Sequence, residues 1–329
     1  MAMASAPDPA APDATPDAVP AAIGSRGWPA VSVVIPTRDR PELLRRCVRS
    51  ILGQRYPGQI ECIVVFDQSD PVDTGITVPD ERALRSIRNT QTAGLAGARN
   101  SGAFAASGDL LAFCDDDDEW LPDKVRRQVT RLREQPSAIA VASGIFVHTN
   151  GHDVARVPVP TVLTFGDFLR SRWMEVNPCN ILMRRADFLD RVGPVDEQIP
   201  GGHNEDYEWL LRATKVGPIS VVREPLVRIY WHESSWFAQR WRSLIASHLY
   251  LLRRFPEFSN DRRGLARMYG QLAFYHAAAG DRGGARLWAS RTLRVRPLER
   301  RTYLALLVSV RPSLAPRILA FANRLGRGI

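Results

Sequence analysis

The amino-acid sequence predicts an α/β fold: a mostly parallel sheet flanked by helices, followed by a C-terminal helical region. Three observations carry this. Short β-branched runs alternate with helical stripes between residues 31 and 132, the rhythm of a parallel sheet covered on both faces. Acidic residues stand directly after those runs, at the strand ends where such sheets bind ligands. The charge balance also breaks near residue 240. Residues 241–329 hold 17 Arg, no Lys and 4 acids, a net of +13 within a total of +9. The first 240 residues, with 27 basic and 31 acidic side chains, therefore stand at −4. A uniformly basic, nucleic-acid-coating protein is excluded, and no aromatic stacking pattern or reader motif supports a nucleic-acid partner.

The elements follow in order. Val31-Ser-Val-Val-Ile35 reads as a buried first strand ending in Pro36-Thr37. Pro41 opens a helix whose stripe is Leu43, Leu44, Cys47, Val48, Ile51 and Leu52, stopped by Gly53. Ile60 to Phe66 is a second buried strand closed by Asp67, and Leu84 to Ile87 a third. Gly94 to Ser107 is an Ala-rich helix, Leu110 to Cys114 a strand, and Leu121 to Leu132 a helix. Ala138 to Val147 is the longest apolar run and reads as a buried strand, about half of the roughly 18–20 residues a membrane span needs. Thr164 and Asp167 have the spacing of a capping box. Asn180–Met183 and Val227–Trp231 read as strands and Glu205–Thr214 as a helix. Beyond residue 240 the pattern is all-helical, with a hairpin from Tyr269 to Leu293 turning at Gly280-Asp281. The expected division is a disordered Ala/Pro-rich leader over 1–28, a catalytic domain over 29–240 and an Arg-rich helical region over 241–329. The leader lacks the apolar run of a secretory signal. The four Cys are far apart in apolar segments and are expected to be free and buried, in a reducing cytoplasm.

Three constellations carry chemistry. Asp115-Asp-Asp-Asp118 follows a buried strand, and four carboxylates in a row repel one another unless something cationic joins them. Hard cations such as Mg²⁺ or Mn²⁺ take such ligands and bridge to phosphates; the plainer reading is an acidic turn in which Asp118 or Asp123 caps the next helix. Glu205-Asp206 opens a helix, either as dipole partners or as a general base at the mouth of the sheet. Gly94 to Gly102 is a tight turn into a helix, with Arg99 placed to meet a phosphorylated ligand. Its glycine spacing is neither a dinucleotide fingerprint nor a P-loop.

Taken in order, Val31-Ser-Val-Val-Ile-Pro-Thr-Arg-Asp-Arg-Pro41, Asp67-Gln-Ser, Ala98-Arg-Asn-Ser-Gly102, Asp115-Asp-Asp-Asp-Glu-Trp-Leu-Pro122, Gly193-Pro-Val-Asp-Glu197 and Glu205-Asp206 resemble the inverting glycosyltransferases of family 2, which have the GT-A fold. The resemblance spans about Val31 to His232. It implies a nucleotide-diphosphate sugar donor, a glycan or lipid-linked acceptor and Mn²⁺ or Mg²⁺ as cofactor. Pro36, Thr37 and Asp39 would line the nucleoside pocket, Asp67 would bond the base, and Arg99 would help hold the nucleotide. Asp115 would face the ribose beside Asp116, Asp117 would meet the metal with His232, and Asp206 would be the catalytic base, with Glu205 and His203 on the acceptor side. The usual acidic pair after the second strand is here Phe66-Asp67. The processive signature is not intact at Gln239-Arg-Trp241, so a non-processive enzyme is expected. The alternative is an inactive GT-A domain acting with its tail as a scaffold; a two-metal phosphoryl transferase would need further ligands. Residues 302–323 read either as an interfacial amphipathic segment touching anionic membrane, which would place the enzyme on the inner face of the cell membrane, or as a helical cap on the catalytic domain.

Overall fold

The computed structural model describes residues 27–149, 151–231 and 241–324; the leader expected over 1–28 lies almost wholly outside them. The first half is a regular alternation: β1 (Val31–Thr37), α1 (Pro41–Leu52), β2 (Ile60–Phe66), β3 (Arg82–Arg88), α2 (Leu95–Ala105), β4 (Leu110–Phe113), β5 (Glu119–Trp120) and α3 (Lys124–Glu134). There follow β6 (Ala140–Thr149), β7 (His152–Arg156), β8 (Val162–Leu163), α4 (Phe165–Arg170), β9 (Ile181–Arg184), α5 (Glu205–Val216) and β10 (Ile219–Tyr230). The chain closes with α6 (Trp241–Arg254), α7 (Arg262–Ala278), α8 (Arg282–Val295), α9 (Arg300–Val310) and α10 (Ala315–Arg324).

The sheet runs β3-β2-β1-β4-β9-β6-β10-β5, with β7 added to β6 and β8 to β10. β3, β2, β1 and β4 are parallel, and the inner three are buried along almost their whole length. β9 then enters antiparallel between β4 and β6, so the mostly parallel sheet is a mixed one. Periodicity cannot report strand direction, because a short strand buried on both faces reads alike either way. The order 3-2-1-4 reverses at β1, and such a switch point opens a crevice beyond the strand ends. The C-terminal ends of β1 and β4 meet there.

Side chains of β1 alternate between two cores. Val31, Val33 and Ile35 pack with Leu44, Cys47, Val48 and Ile51 of α1 and with Val125 and Val129 of α3. Val34 faces the other way, with Ala98 of α2, Phe168 of α4 and Leu210 of α5. Thr164 does start α4: its amide donates to Asp167 Oδ2 at 3.0 Å. α3, by contrast, begins at Lys124 rather than Leu121, and Asp118 does not cap it; Asp118 is buried and accepts from the Tyr230 amide at 3.2 Å. All four Cys are free and buried.

The C-terminal helices are not detached from the sheet. Leu251 and Phe255 of the α6 end, Phe258 and Met268 share the core that holds Phe168, Tyr207 and Trp209. Arg267 on α7 donates to the Tyr207 hydroxyl at 2.6 Å and to the Leu169 carbonyl at 3.3 Å. A third cluster joins α7, α8 and α9 through Leu272, Phe274, Trp288, Ala305 and Val308. Among the described residues no helix is long and apolar enough to cross a membrane.

α2 sits close because it is built from small residues. A Cβ at Gly102 would lie 2.2 Å from Val34 Cγ1, and one at Gly97 would lie 1.9 Å from the Thr92 carbonyl oxygen. The second neighbour is backbone and cannot turn aside. Gly97→Ala is therefore expected to lower the unfolding free energy by about 1–3 kcal/mol, the usual cost of overpacking, measured by chemical denaturation.

Candidate active site

At the reversal point the acidic turn folds back under β1. The four carboxylates alternate in burial: Asp115 and Asp117 are partly exposed, Asp116 and Asp118 buried. Asp116 Oδ2 accepts from Thr37 Oγ1 at 2.7 Å, which ties the turn to the end of β1. Arg40 Nη1 bridges Asp116 Oδ1 at 3.2 Å and Asp117 Oδ2 at 2.8 Å. Burial, opposed by Thr37 and Arg40 but reinforced by Asp117 and Asp115, pushes the Asp116 carboxyl up to about 6. Burial and the same two neighbours raise Asp118 well above the carboxylate range. Under this turn lies buried Lys124, whose Nζ sits 3.6 Å from the Trp120 ring centroid and whose pKa burial lowers to about 7.

Arg99, from α2, joins this turn to the second acidic pair. Nη2 donates to Asp115 Oδ1 at 2.9 Å and Nη1 to Glu205 Oε1 at 3.0 Å. Burial opposes its charge, but the two carboxylates outweigh burial and raise its pKa. Burial and the charge of Asp206 push the Glu205 carboxyl up, against the pull of Arg99. Asn204, at the N-cap of α5, holds a left-handed backbone with φ of 66°, which turns Glu205 inward. Asp206 points elsewhere: both its oxygens accept from Arg172 Nη2 at 2.7 Å, and Oδ1 also accepts from the Tyr207 amide at 2.7 Å. Arg172 Nη1 donates to Asn204 Oδ1 at 2.7 Å. Oδ2 is thus the Asp206 oxygen without a backbone donor.

The other motifs brace this edge. Asn100 donates to the Val195 carbonyl at 2.8 Å and to Glu197 Oε1 at 2.7 Å, so Gly193–Glu197 locks onto α2. Asp67 is buried and accepts from Asn89 Nδ2 at 2.8 Å, Gln68 Nε2 at 2.9 Å and the Gly94 amide at 3.1 Å. Beside it opens a cleft of about 570 Å³, lined among others by Thr37, Asp39, Arg40, Leu44, Phe66 and Thr74.

The expected site residues differ in their surroundings. Thr37 and Asp39 line the cleft, whereas Pro36 is buried in β1 opposite Val65. Asp67 and Arg99, expected at the nucleotide, are both closed off by protein partners, because each is needed to satisfy buried charge or orphaned amides. Glu205 and His203 are buried, and Glu205 serves Arg99. His232 lies outside the described residues. Arg172 has no signal in the sequence, standing in the irregular stretch between α4 and β9. Arg40 stands inside a quoted motif, but its bridge to Asp116 and Asp117 spans 76 and 77 residues.

The donor set fits a hard divalent cation: clustered carboxylate oxygens, two of them raised by burial and by their acidic neighbours, with Arg40 bridging Asp116 and Asp117. Asp115, Asp118 and Cys179 also place one ligand atom each within 4.8 Å of one another. That group is inward, and Cys179 Sγ already accepts from the Asp115 amide at 3.3 Å. A soft thiol also suits Mg²⁺ or Mn²⁺ poorly.

Residues 32–189 match the description Glycosyl transferase family 2. A relative from Escherichia coli, UDP-Glc:alpha-D-GlcNAc-diphosphoundecaprenol beta-1,3-glucosyltransferase WfaP, is 28% identical over 219 residues, covering 65% of this chain and 82% of that protein. The chain spans only 25% and 18% of two much longer curated relatives. Among solved structures, Staphylococcus aureus TarS 1–349 in complex with UDP-GlcNAc superposes with a TM-score of 0.61 at 17% identity, over 90% of this chain and 92% of that one. The mannosyltransferase PcManGT from Pyrobaculum calidifontis, in complex with GDP-Man and Mn²⁺, gives 0.50 at 19% identity, over 89% and 87%. Likeness at that identity speaks for the fold, which is GT-A.

The raised Asp116 makes a stability prediction. Its folded value of about 6 lies above the unfolded 3.8, so its contribution is full below pH 3.8 and lost as pH rises through about 6. Asp116→Asn, which keeps an acceptor for Thr37 and removes the charge, is expected to stabilise the metal-free protein by about 1–3 kcal/mol at pH 7 and by almost nothing at pH 4. Denaturation at the two pH values checks this.

Proposed function

Because residues 32–189 belong to glycosyl transferase family 2, we propose that the protein is a metal-dependent, inverting, non-processive glycosyltransferase. It moves a sugar from a nucleotide-diphosphate donor to an acceptor hydroxyl in the synthesis of a cell-surface glycan. The observation that carries this reading is the convergence of the four-acid turn, Arg99 and Glu205-Asp206 at the β1/β4 reversal. The E. coli relative named for a diphosphoundecaprenol acceptor supports a lipid-linked acceptor here, and with it work at the inner, cytoplasmic face of a membrane.

The nucleoside occupies the cleft beside Thr37, Asp39 and Phe66. Phe66 stands where an acid is usual, so the base meets an apolar wall, and Asp67 shapes the pocket through the 89–94 loop. Asp115 and Asp117 would hold a divalent cation, which when bound would neutralise charge on the departing diphosphate. Asp206 takes the proton of the acceptor hydroxyl through Oδ2. The oxygen bonds to the anomeric carbon as the carbon–phosphate-oxygen bond breaks, and its electron pair leaves with the nucleoside diphosphate. One displacement inverts the centre. Arg172, which donates to both oxygens of Asp206, orients its carboxylate as a positioning residue.

Asp206→Asn is expected to lower kcat by roughly 10²–10⁴-fold while nucleotide affinity stays within about twofold, read by product formation and calorimetry; retained transfer would overturn the base assignment. Asp117→Ala is expected to abolish the thermal stabilisation that Mn²⁺ adds to a bound nucleoside diphosphate, about 2.7 kcal/mol at a hundredfold excess over Kd in the wild type.

A further inference from the structure

α9 packs on α7 and α8 through Ala305 and Val308 and leaves its opposite side bare. At about 100° per residue, Tyr303, Leu306, Leu307 and Val310 share an arc of about 100°. They are 53%, 41%, 52% and 76% exposed, and Leu298, just before the helix, is 79% exposed. The Tyr303 hydroxyl donates to the Pro297 carbonyl at 2.7 Å, which fixes the turn that presents Leu298. Isolated exposed apolar residues are ordinary, but four in one stripe, with Leu298 exposed just before it, mark a contact surface.

Charge selects the partner. Arg300 and Arg311, both exposed, run along one edge of the stripe. Residues 282–329 contain 11 Arg and one acid, Glu299. That acid is buried and spent on Arg301, whose Nη1 donates to it at 2.7 Å. A second copy of the chain would set like charges against each other across the same face. A negatively charged surface that accepts apolar side chains meets both features at once. We propose that this face of α9 seats on an anionic lipid surface, with the leucines, Val310 and Tyr303 in the headgroup boundary and the arginines on lipid phosphates.

The seat reaches the candidate active site through packed helices. α9 rests on α7, and Arg267 of α7 holds the hydroxyl of Tyr207, the residue after Asp206. The surface itself does not depend on the transfer chemistry. All its residues lie outside the acidic turn and α5.

The test is flotation of the full chain with vesicles of phosphatidylglycerol and phosphatidylethanolamine, compared with vesicles of phosphatidylcholine alone. Binding to the anionic vesicles is expected, weaker by at least about tenfold on the neutral ones and weakened by salt. Leu307→Asp with Val310→Asp, at two exposed positions, is expected to lose at least about tenfold in partitioning, with unchanged circular dichroism and unchanged nucleotide binding. Arg300→Glu with Arg311→Glu is expected to remove the preference for anionic lipid. Equal flotation of the aspartate variant and the wild type overturns the proposal. So does a concentration-dependent dimer that the same variant dissolves, which would make the occupant a second copy. Loss of transfer by Asp206→Asn with flotation intact would leave this seat standing.

Discussion

Arg99 is the contact on which the ligand edge depends. A buried guanidinium is costly unless it is paired and hydrogen-bonded, and here each of its two outer nitrogens meets a carboxylate from a different segment. One is the turn after β4 and the other is the start of α5, 90 residues later. Removing the guanidinium would take from buried Glu205 its hydrogen-bonded partner, leaving Arg172 as the nearby cation beside Asp206, and would cut the contact that ties the two acidic motifs together. The rest of α2 serves the same end. Asn100 and Ser101 are engaged by Glu197 and Asn89, and small residues let the helix lie against Val34 and the Thr92 backbone.

Around that pair the edge holds more negative charge than protein cations balance comfortably. Thr37 and Arg40 only partly offset the burial of Asp116, and Asp118 gains one backbone donor. Such an arrangement lowers stability in the metal-free state, a cost that a site binding a cation and a diphosphate recovers on binding. Asp206 is treated differently. Both its oxygens accept from Arg172 and it is half-buried, while its neighbour Glu205 is buried against Arg99. Adjacent acids thus meet different guanidinium partners.

Of the two roles that the composition of the C-terminal helices left open, packing on the catalytic domain is seen directly. α6 and α7 are a cap, sharing the sheet's core through Leu251, Phe255 and Met268 and gripping Tyr207 through Arg267. α9 packs with one side and keeps an apolar face outward. The strong arginine bias of the segment has a packing component as well as a surface one, since Arg267 and Arg301 are spent internally.

The sequence by itself determined the elements of the first half, the acidic strand ends and the family, because buried strands and amphipathic helices write their periodicity into neighbouring residues. It also singled out Asp115, Asp117 and Asp206 as candidates, since each belongs to a short ordered motif. Only the tertiary structure decided partners. That Arg99 answers Asp115 and Glu205, that Asp67 is consumed by the 89–94 loop, and that Arg172 grips Asp206 are contacts over 16 to 106 residues of chain. Strand direction at β9 was decided there as well. Local pattern records which side chains want burial or a counter-charge; which ones meet is set by chain crossings that leave no periodic trace.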